Sequence, residues 1–174
     1  DISDLSGKII YFETSRGCPF GCSYCLSSAE RGVRFFPMEY VKSGLDMSFR
    51  FGVPLVKFVD RTFNIDEDRA VEIVEYIVKN STETSVHFEI EAEIMTPRLI
   101  DTLNAAPDGL FQLEIGIQTT NPDSLRAVNR KCDLERTREN ILRLIMPGNI
   151  HVHLDLIAGL PFEDYESFRR SFNY

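Results

Sequence analysis

Cys18, Cys22 and Cys25 stand with three and then two residues between them, in the stretch Cys18-Pro19-Phe20-Gly21-Cys22-Ser23-Tyr24-Cys25. Thiolates so close in sequence can wrap one metal centre without help from the rest of the fold. A closed tetrahedral zinc site takes four ligands, and the remaining cysteine, Cys132, is far along the chain. Three thiolates and a vacancy suit a four-iron cluster with one iron left open; on spacing alone, zinc is the alternative. Gly17 and Gly21 free the backbone to wrap tightly, so that amide groups can point at sulfur and tune its potential.

The elements that must position this loop recur as strand, loop and helix, five times over. Lys8 to Glu13 reads as the first strand and leads straight into the cysteines. A helix starts at Pro37, which suits a first helical position, and ends near Gly52. The second strand is Leu55 to Val59. Its helix runs from Asp66 to Lys79, with Ala70, Ile73, Val74 and Ile77 on one face. The third strand, Val86 to Glu93, precedes a helix capped by Thr96 and ending near Ala105. The fourth strand, Leu110 to Gln118, is followed by a cap at Asn121 and a second helix over Leu134 to Ile145. The fifth strand spans His151 to Leu160, and its helix opens near Glu163. Strands alternating with helices predict an α/β fold with a parallel sheet.

Alternation within the strands refines that expectation. A parallel sheet covered on both faces shows unbroken apolar runs. Here Val86, Phe88 and Ile90 oppose His87, Glu89, Glu91 and Glu93, and Leu113, Ile115 and Ile117 oppose Glu114 and Gln118. In the fifth strand, Val152, Leu154 and Leu156 oppose His151, His153 and Asp155. One helical layer on the apolar side and a polar concave side predict a partial barrel with a wet lumen; an open sheet with one face in water is the alternative.

Composition narrows the partners. The 174 residues suffice for one domain with a sizeable core. Beginning at Asp1 and stopping at Tyr174 inside a helix-like stretch, they read as a piece of a longer protein. The net charge is -8 with no block of basic residues, which argues against nucleic acid as a partner of this segment. No apolar run approaches the roughly 20 residues that cross a bilayer, and no signal peptide is visible. Bunched cysteines without a disulfide framework fit a reducing compartment, so the cytoplasm is expected.

The stretch CPFGCSYC resembles the CxxxCxxC motif of the radical S-adenosylmethionine (radical SAM) superfamily, with Tyr24 before the last cysteine as that family prefers. The segments FETSRGCPFGCSYCLSS, VKFVDRTFN, FQLEIGIQTTN and HLDLIAGLPFEDYESF are similar to the core of the group that often carries a cobalamin-binding domain ahead of the barrel. They also resemble the cores of methylthiotransferases and of oxygen-independent coproporphyrinogen oxidases. The resemblance implies a partial (βα)6 barrel with five units present, residues 1–174 being the core and flanking domains lying outside it.

It also implies a chemistry. Cys18, Cys22 and Cys25 would hold a [4Fe-4S] cluster, and the vacancy would be filled by S-adenosylmethionine (SAM), cleaved to a 5′-deoxyadenosyl radical. An electron donor such as flavodoxin or ferredoxin would be required. Tyr24 would border the adenine. Where the family often has Gly-Gly-Glu for the methionine amine, this chain has Asp60-Arg61-Thr62, so the backbone there or Asp60 is expected in that role. Glu93, Glu114 and Gln118 are candidates for ribose, methionine or substrate contacts. Ile157, Gly159 and Leu160 match the family's fifth-strand motif along the adenine. Cys132 reads as an incidental thiol, and His151 with His153 as too few ligands for a metal. The resemblance names no substrate.

Overall fold

The computed structural model describes residues 5, 7–29, 32–81 and 83–174. Its strands are β1 (Ile9–Phe12), β2 (Ser15–Cys18), β3 (Gly32–Phe35), β4 (Leu55–Phe58), β5 (Ser85–Ile90), β6 (Phe111–Gln118) and β7 (His151–Leu156). The helices are α1 (Met38–Arg50), α2 (Glu67–Asn80), α3 (Pro97–Asn104), α4 (Pro122–Ala127), α5 (Leu134–Ile145) and α6 (Tyr165–Phe172). Strands β1, β4, β5, β6 and β7 form one parallel sheet in that order. This is the sequential βα series of a partial barrel. No helix among the described residues is long and apolar enough to cross a membrane.

Side-chain caps start most of the helices. Asp66, Thr96, Asn121, Asp133 and Asp164 each accept from a backbone N–H in the first turn that follows, satisfying donors that lack a partner four residues back. Helix α1 begins one residue after Pro37, which occupies the capping place. Its Gly44 lies so close to the sheet that a Cβ there would meet the Phe12 ring at 2.5 Å.

The core lies between the helices and the apolar face of the sheet. Leu45 of α1, Ile73 and Ile77 of α2, Leu103 of α3 and Leu144 of α5 are buried against it. Phe12, Phe58, Phe88 and Phe111 form a continuous row across four strands, with successive ring centroids 5.7, 4.9 and 5.6 Å apart. Edge and tilted contacts of this kind add to simple burial. Truncating Phe88 to alanine would cost about 3–5 kcal/mol.

Two strands are shorter than their alternation predicts. The ladder of β5 stops at Ile90, and residues Ala92–Ile94 turn into a single 3-10 turn. The side chain of Asn64 replaces the strand neighbour at Glu91, taking both its N–H and its C=O. Strand β7 stops at Leu156 because β6 carries an irregularity between Gly116 and Gln118, with Gln118 at φ +69°. The antiparallel ribbon of β2 and β3 was not expected; it begins two residues after Glu13 and ends at the first cysteine.

Candidate functional site

The cysteine loop is pinned from both sides. On one side stands Asp60, just past β4 and only 1% exposed. Its carboxylate accepts from Thr14 N at 2.9 Å, Thr14 Oγ1 at 2.6 Å and Ser15 Oγ at 2.5 Å. Arg69 Nη2 adds a hydrogen bond to Thr14 O at 3.0 Å. Gly17, at φ +99°, lets β2 approach β3 so closely that a Cβ would lie 2.2 Å from Gly32 O. On the other side, Ser23 N donates to Val128 O at 2.9 Å, and Asn129 Nδ2 donates to Gly21 O at 2.8 Å.

The loop closes over the polar ends of the strands, leaving a cavity of about 190 Å³. Cys18, Cys22 and Cys25 all border it, with Tyr24 among them. Its opposite wall is acidic: Glu89 and Glu91 from the end of β5, Glu114 from β6, and Asp155 from β7. The register explains this wall, since Glu89 lies opposite Glu114, and Gly116 opposite Asp155. Gly116 leaves room for the Gln118 amide, whose Nε2 lies 2.0 Å from where a Cβ would stand.

Two arginines, Arg61 and Arg130, border the cavity. Arg130, in the connection between α4 and α5, pairs with Glu91 Oε2 at 2.8 Å and donates to Gly116 O at 2.6 Å. Its Nη1 lies 3.9 Å from Cys22 Sγ, and its buried Nε–H has no partner among the described residues. Burial is the largest single influence on Arg130 and works against its charge, but Glu91, Tyr24 and Cys22 together outweigh it and keep the guanidinium protonated. Burial pushes the Glu91 carboxyl up, against the pull of Arg130. Burial likewise raises Glu89 and Asp155, with Glu114 adding to both. Below them, burial pushes the His87 imidazole down, and its Nε2 sits 3.2 Å from Glu114 Oε2. Burial also raises the Tyr24 phenol.

The structure gathers some of the expected residues and disperses others. The three cysteines, Tyr24, Glu114 and Gln118 share the cavity. Asp60 does not line it; its oxygens accept from Thr14 and Ser15, which ties the start of the loop to the end of β4. Arg61 and Thr62 from the same segment do border the cavity. Glu93 falls in the 3-10 turn beyond β5 and leaves the wall to Glu91, because the strand ends before the alternation does. Ile157, Gly159 and Leu160 follow the end of β7 and lie outside the lining, although Ile157 N still donates to Gln118 O at 2.9 Å. Arg130 escaped the sequence reading, since it sits in a connector with no periodicity and its partner Glu91 is 39 residues away. His151 and His153 pack edge to face with centroids 4.4 Å apart.

The donor set fits an iron–sulfur cluster. Three thiols border one cavity, and Arg130, whose buried Nε–H has no partner among the described residues, lines it too, which suits an anionic occupant. Among the described residues, no three His, Cys, Asp or Glu side chains converge as ligands of a single ion.

Comparison with known proteins agrees. Residues 12–174 match the profile of the Radical SAM superfamily, and the chain belongs to that family. The family uses a [4Fe-4S] cluster and SAM. Within it, the chain is 29% identical over 166 residues to the cobalamin-dependent radical SAM methyltransferase TokK of Streptomyces tokunonensis, covering 91% of this chain and 24% of that protein. It is 25% identical over 170 residues to the ribosomal protein uS12 methylthiotransferase RimO of Synechocystis sp., covering 92% of this chain and 38% of that one. In fold it is similar to the radical SAM methyltransferase TsrM of Kitasatospora setae, with a TM-score of 0.81, 18% identity, and coverage of 97% of this chain and 34% of that one. TsrM has also been solved with cobalamin and a [4Fe-4S] cluster bound. The chain thus spans between a quarter and two fifths of these relatives.

Proposed function

We propose that this chain is the catalytic core of a longer radical SAM enzyme, and that Cys18, Cys22 and Cys25 hold its cluster. The observation that carries the assignment is the sharing of one cavity by three thiols and an arginine whose buried Nε–H has no partner among the described residues. When bound, the cluster supplies one electron that divides SAM into methionine and a 5′-deoxyadenosyl radical, which takes a hydrogen atom from the substrate. The residues of the chain bind, orient and exclude water. Arg130 offers its Nε–H to the carboxylate of SAM. Tyr24 borders the adenine, and the Gln118 amide and Glu114 carboxyl serve the ribose or the substrate. Asp60 acts through the loop it holds, and Glu93, Ile157, Gly159 and Leu160 support the lining from outside it.

The likeness to TokK supports methyl transfer with cobalamin bound by a domain outside this segment. Methylthio transfer is a second reading, favoured by the likeness to RimO. A cytoplasmic, low-potential donor of the flavodoxin or ferredoxin class would supply the electron. Anaerobic reconstitution of the full-length protein is expected to give about four irons per chain and, with reductant, 5′-deoxyadenosine from SAM. Each of Cys18→Ala, Cys22→Ala and Cys25→Ala should abolish both; a variant that keeps a full cluster sinks the assignment. Cobalamin retained through purification would separate the methyltransferase reading from the methylthiotransferase one.

A further inference from the structure

Between β4 and α2 lies a short turn, Phe63–Ile65, whose central side chain has no part in the chemistry above. Asn64 is 3% exposed and faces the backbone of Glu91. Its Nδ2 donates to Glu91 O at 2.9 Å, and Glu91 N donates to its Oδ1 at 2.9 Å. A side-chain amide offers a donor and an acceptor side by side, as a peptide unit does. It therefore continues the ladder one step past the point where β5 has lost its strand neighbours. The turn cannot drift easily, because Phe63 stacks on Phe88 at 3.9 Å with the planes 15° apart.

The contacts run on from there without a gap. The Glu91 carboxylate holds Arg130 at 2.8 Å, and Arg130 Nη1 stands 3.9 Å from Cys22 Sγ. Both partners of the ion pair are largely buried, with side chains 9% and 13% exposed. A cation beside a thiolate in such surroundings favours the more negative, reduced state of whatever that thiolate ligates.

We propose that Asn64 is a positioning residue for the cluster: by locking the Glu91 backbone it sets Arg130 against Cys22, raises the cluster's reduction potential and fixes the N–H that receives SAM. This rests on the reading that Cys22 ligates the cluster. Asn64→Asp is the sharpest probe, since it puts an oxygen against the Glu91 carbonyl in place of a donor. Asn64→Ala removes both hydrogen bonds.

The test uses the full-length protein, reconstituted anaerobically. Iron content, thermal melting, the EPR-monitored midpoint potential and the dissociation constant for SAM are measured on each variant. Both Asn64 variants are expected to load iron as the wild type does, to show a lower midpoint potential, and to bind SAM about tenfold more weakly. Arg130→Gln leaves the amide clamp intact and removes the cation itself. It should lower the potential as the Asn64 variants do, and adding Asn64→Ala to it should lower it little further. Asn64 variants that melt lower but keep the wild-type potential and SAM affinity would overturn the proposal. Should they fail to fold, an unchanged potential in Arg130→Gln overturns it equally. A wild-type protein that takes up no iron refutes the cluster assignment instead, and is a separate outcome.

Discussion

A buried carboxylate with no cation in hydrogen-bond contact among the described residues must draw its compensation from neutral donors, and Asp60 draws it from three. Two of those donors are hydroxyls that can turn to accept instead; the third, Thr14 N–H, cannot. Asp60→Ala strands that N–H and should cost about 3 kcal/mol in urea unfolding, the upper end for an unsatisfied buried donor. Asp60→Asn keeps an acceptor for Thr14 N and lets its amide donate to the hydroxyls, so a loss of under about 1 kcal/mol is expected. The SAM dissociation constant of the Asn variant should stay at the wild-type value. A large rise in that constant at unchanged stability would mean that Asp60 reaches the methionine amine after all. Arg130 behaves in the opposite way: Arg130→Met leaves Glu91 buried without its partner, so both stability and SAM affinity should fall.

Elements place these residues, and the elements differ in how much of themselves they write into local sequence. Helix α5 spans Leu134–Ile145, as periodicity predicts, and α2, α3, α4 and α6 start at caps that a reader can see. Where each strand of the parallel sheet begins was legible from alternation. Where β5 ends was not, because Asn64 decides it from 27 residues away. The β2–β3 ribbon was illegible for another reason: Ser-Arg-Gly-Cys against Gly-Val-Arg-Phe has no alternating apolar pattern. Its signal is conformational and lies in Gly17 and Gly32, both at positive φ. The cysteines were plain in sequence, whereas the cation beside them depends on a tertiary pairing. Gly17→Ala tests the ribbon. A Cβ that meets backbone oxygen at 2.2 Å on top of a φ of +99° should cost more than the ~1–3 kcal/mol of strained backbone alone. Iron loading should fall with it. Asp66→Ala is the control: losing the cap of α2 should cost about 1 kcal/mol and leave iron loading unchanged.

Taken as a whole, the molecule has one face of its sheet filled by a row of rings and the other lined with carboxylates, an arrangement with a measurable cost. Glu89 and Glu114 lie directly opposite in register, Asp155 stands on the next strand opposite Gly116, and like charges so placed destabilise a sheet. Burial and these neighbours raise the Glu89 carboxyl above its ordinary value of 4.5, although Arg61 opposes the shift. A carboxyl raised by folding binds its proton more tightly in the folded state than in the unfolded one. Its contribution to stability is therefore fully present below 4.5 and is lost as pH rises through the folded value. Glu13, which its Arg16 partner holds below the usual range, pulls the other way as pH falls, so total stability against pH mixes the two signs. Comparing Glu89→Gln with wild type removes that background. At pH 8 the variant should melt above wild type, because it lacks the charge opposite Glu114. The two melting curves should converge on acidification toward about pH 4.5, where Glu89 of the wild type is itself gaining a proton. The half-exposed contact between Arg61 and Glu89, at 4.0 Å, is too loose to reverse this. A variant less stable than wild type at pH 8 would show that this ion pair outweighs the repulsion across the lumen.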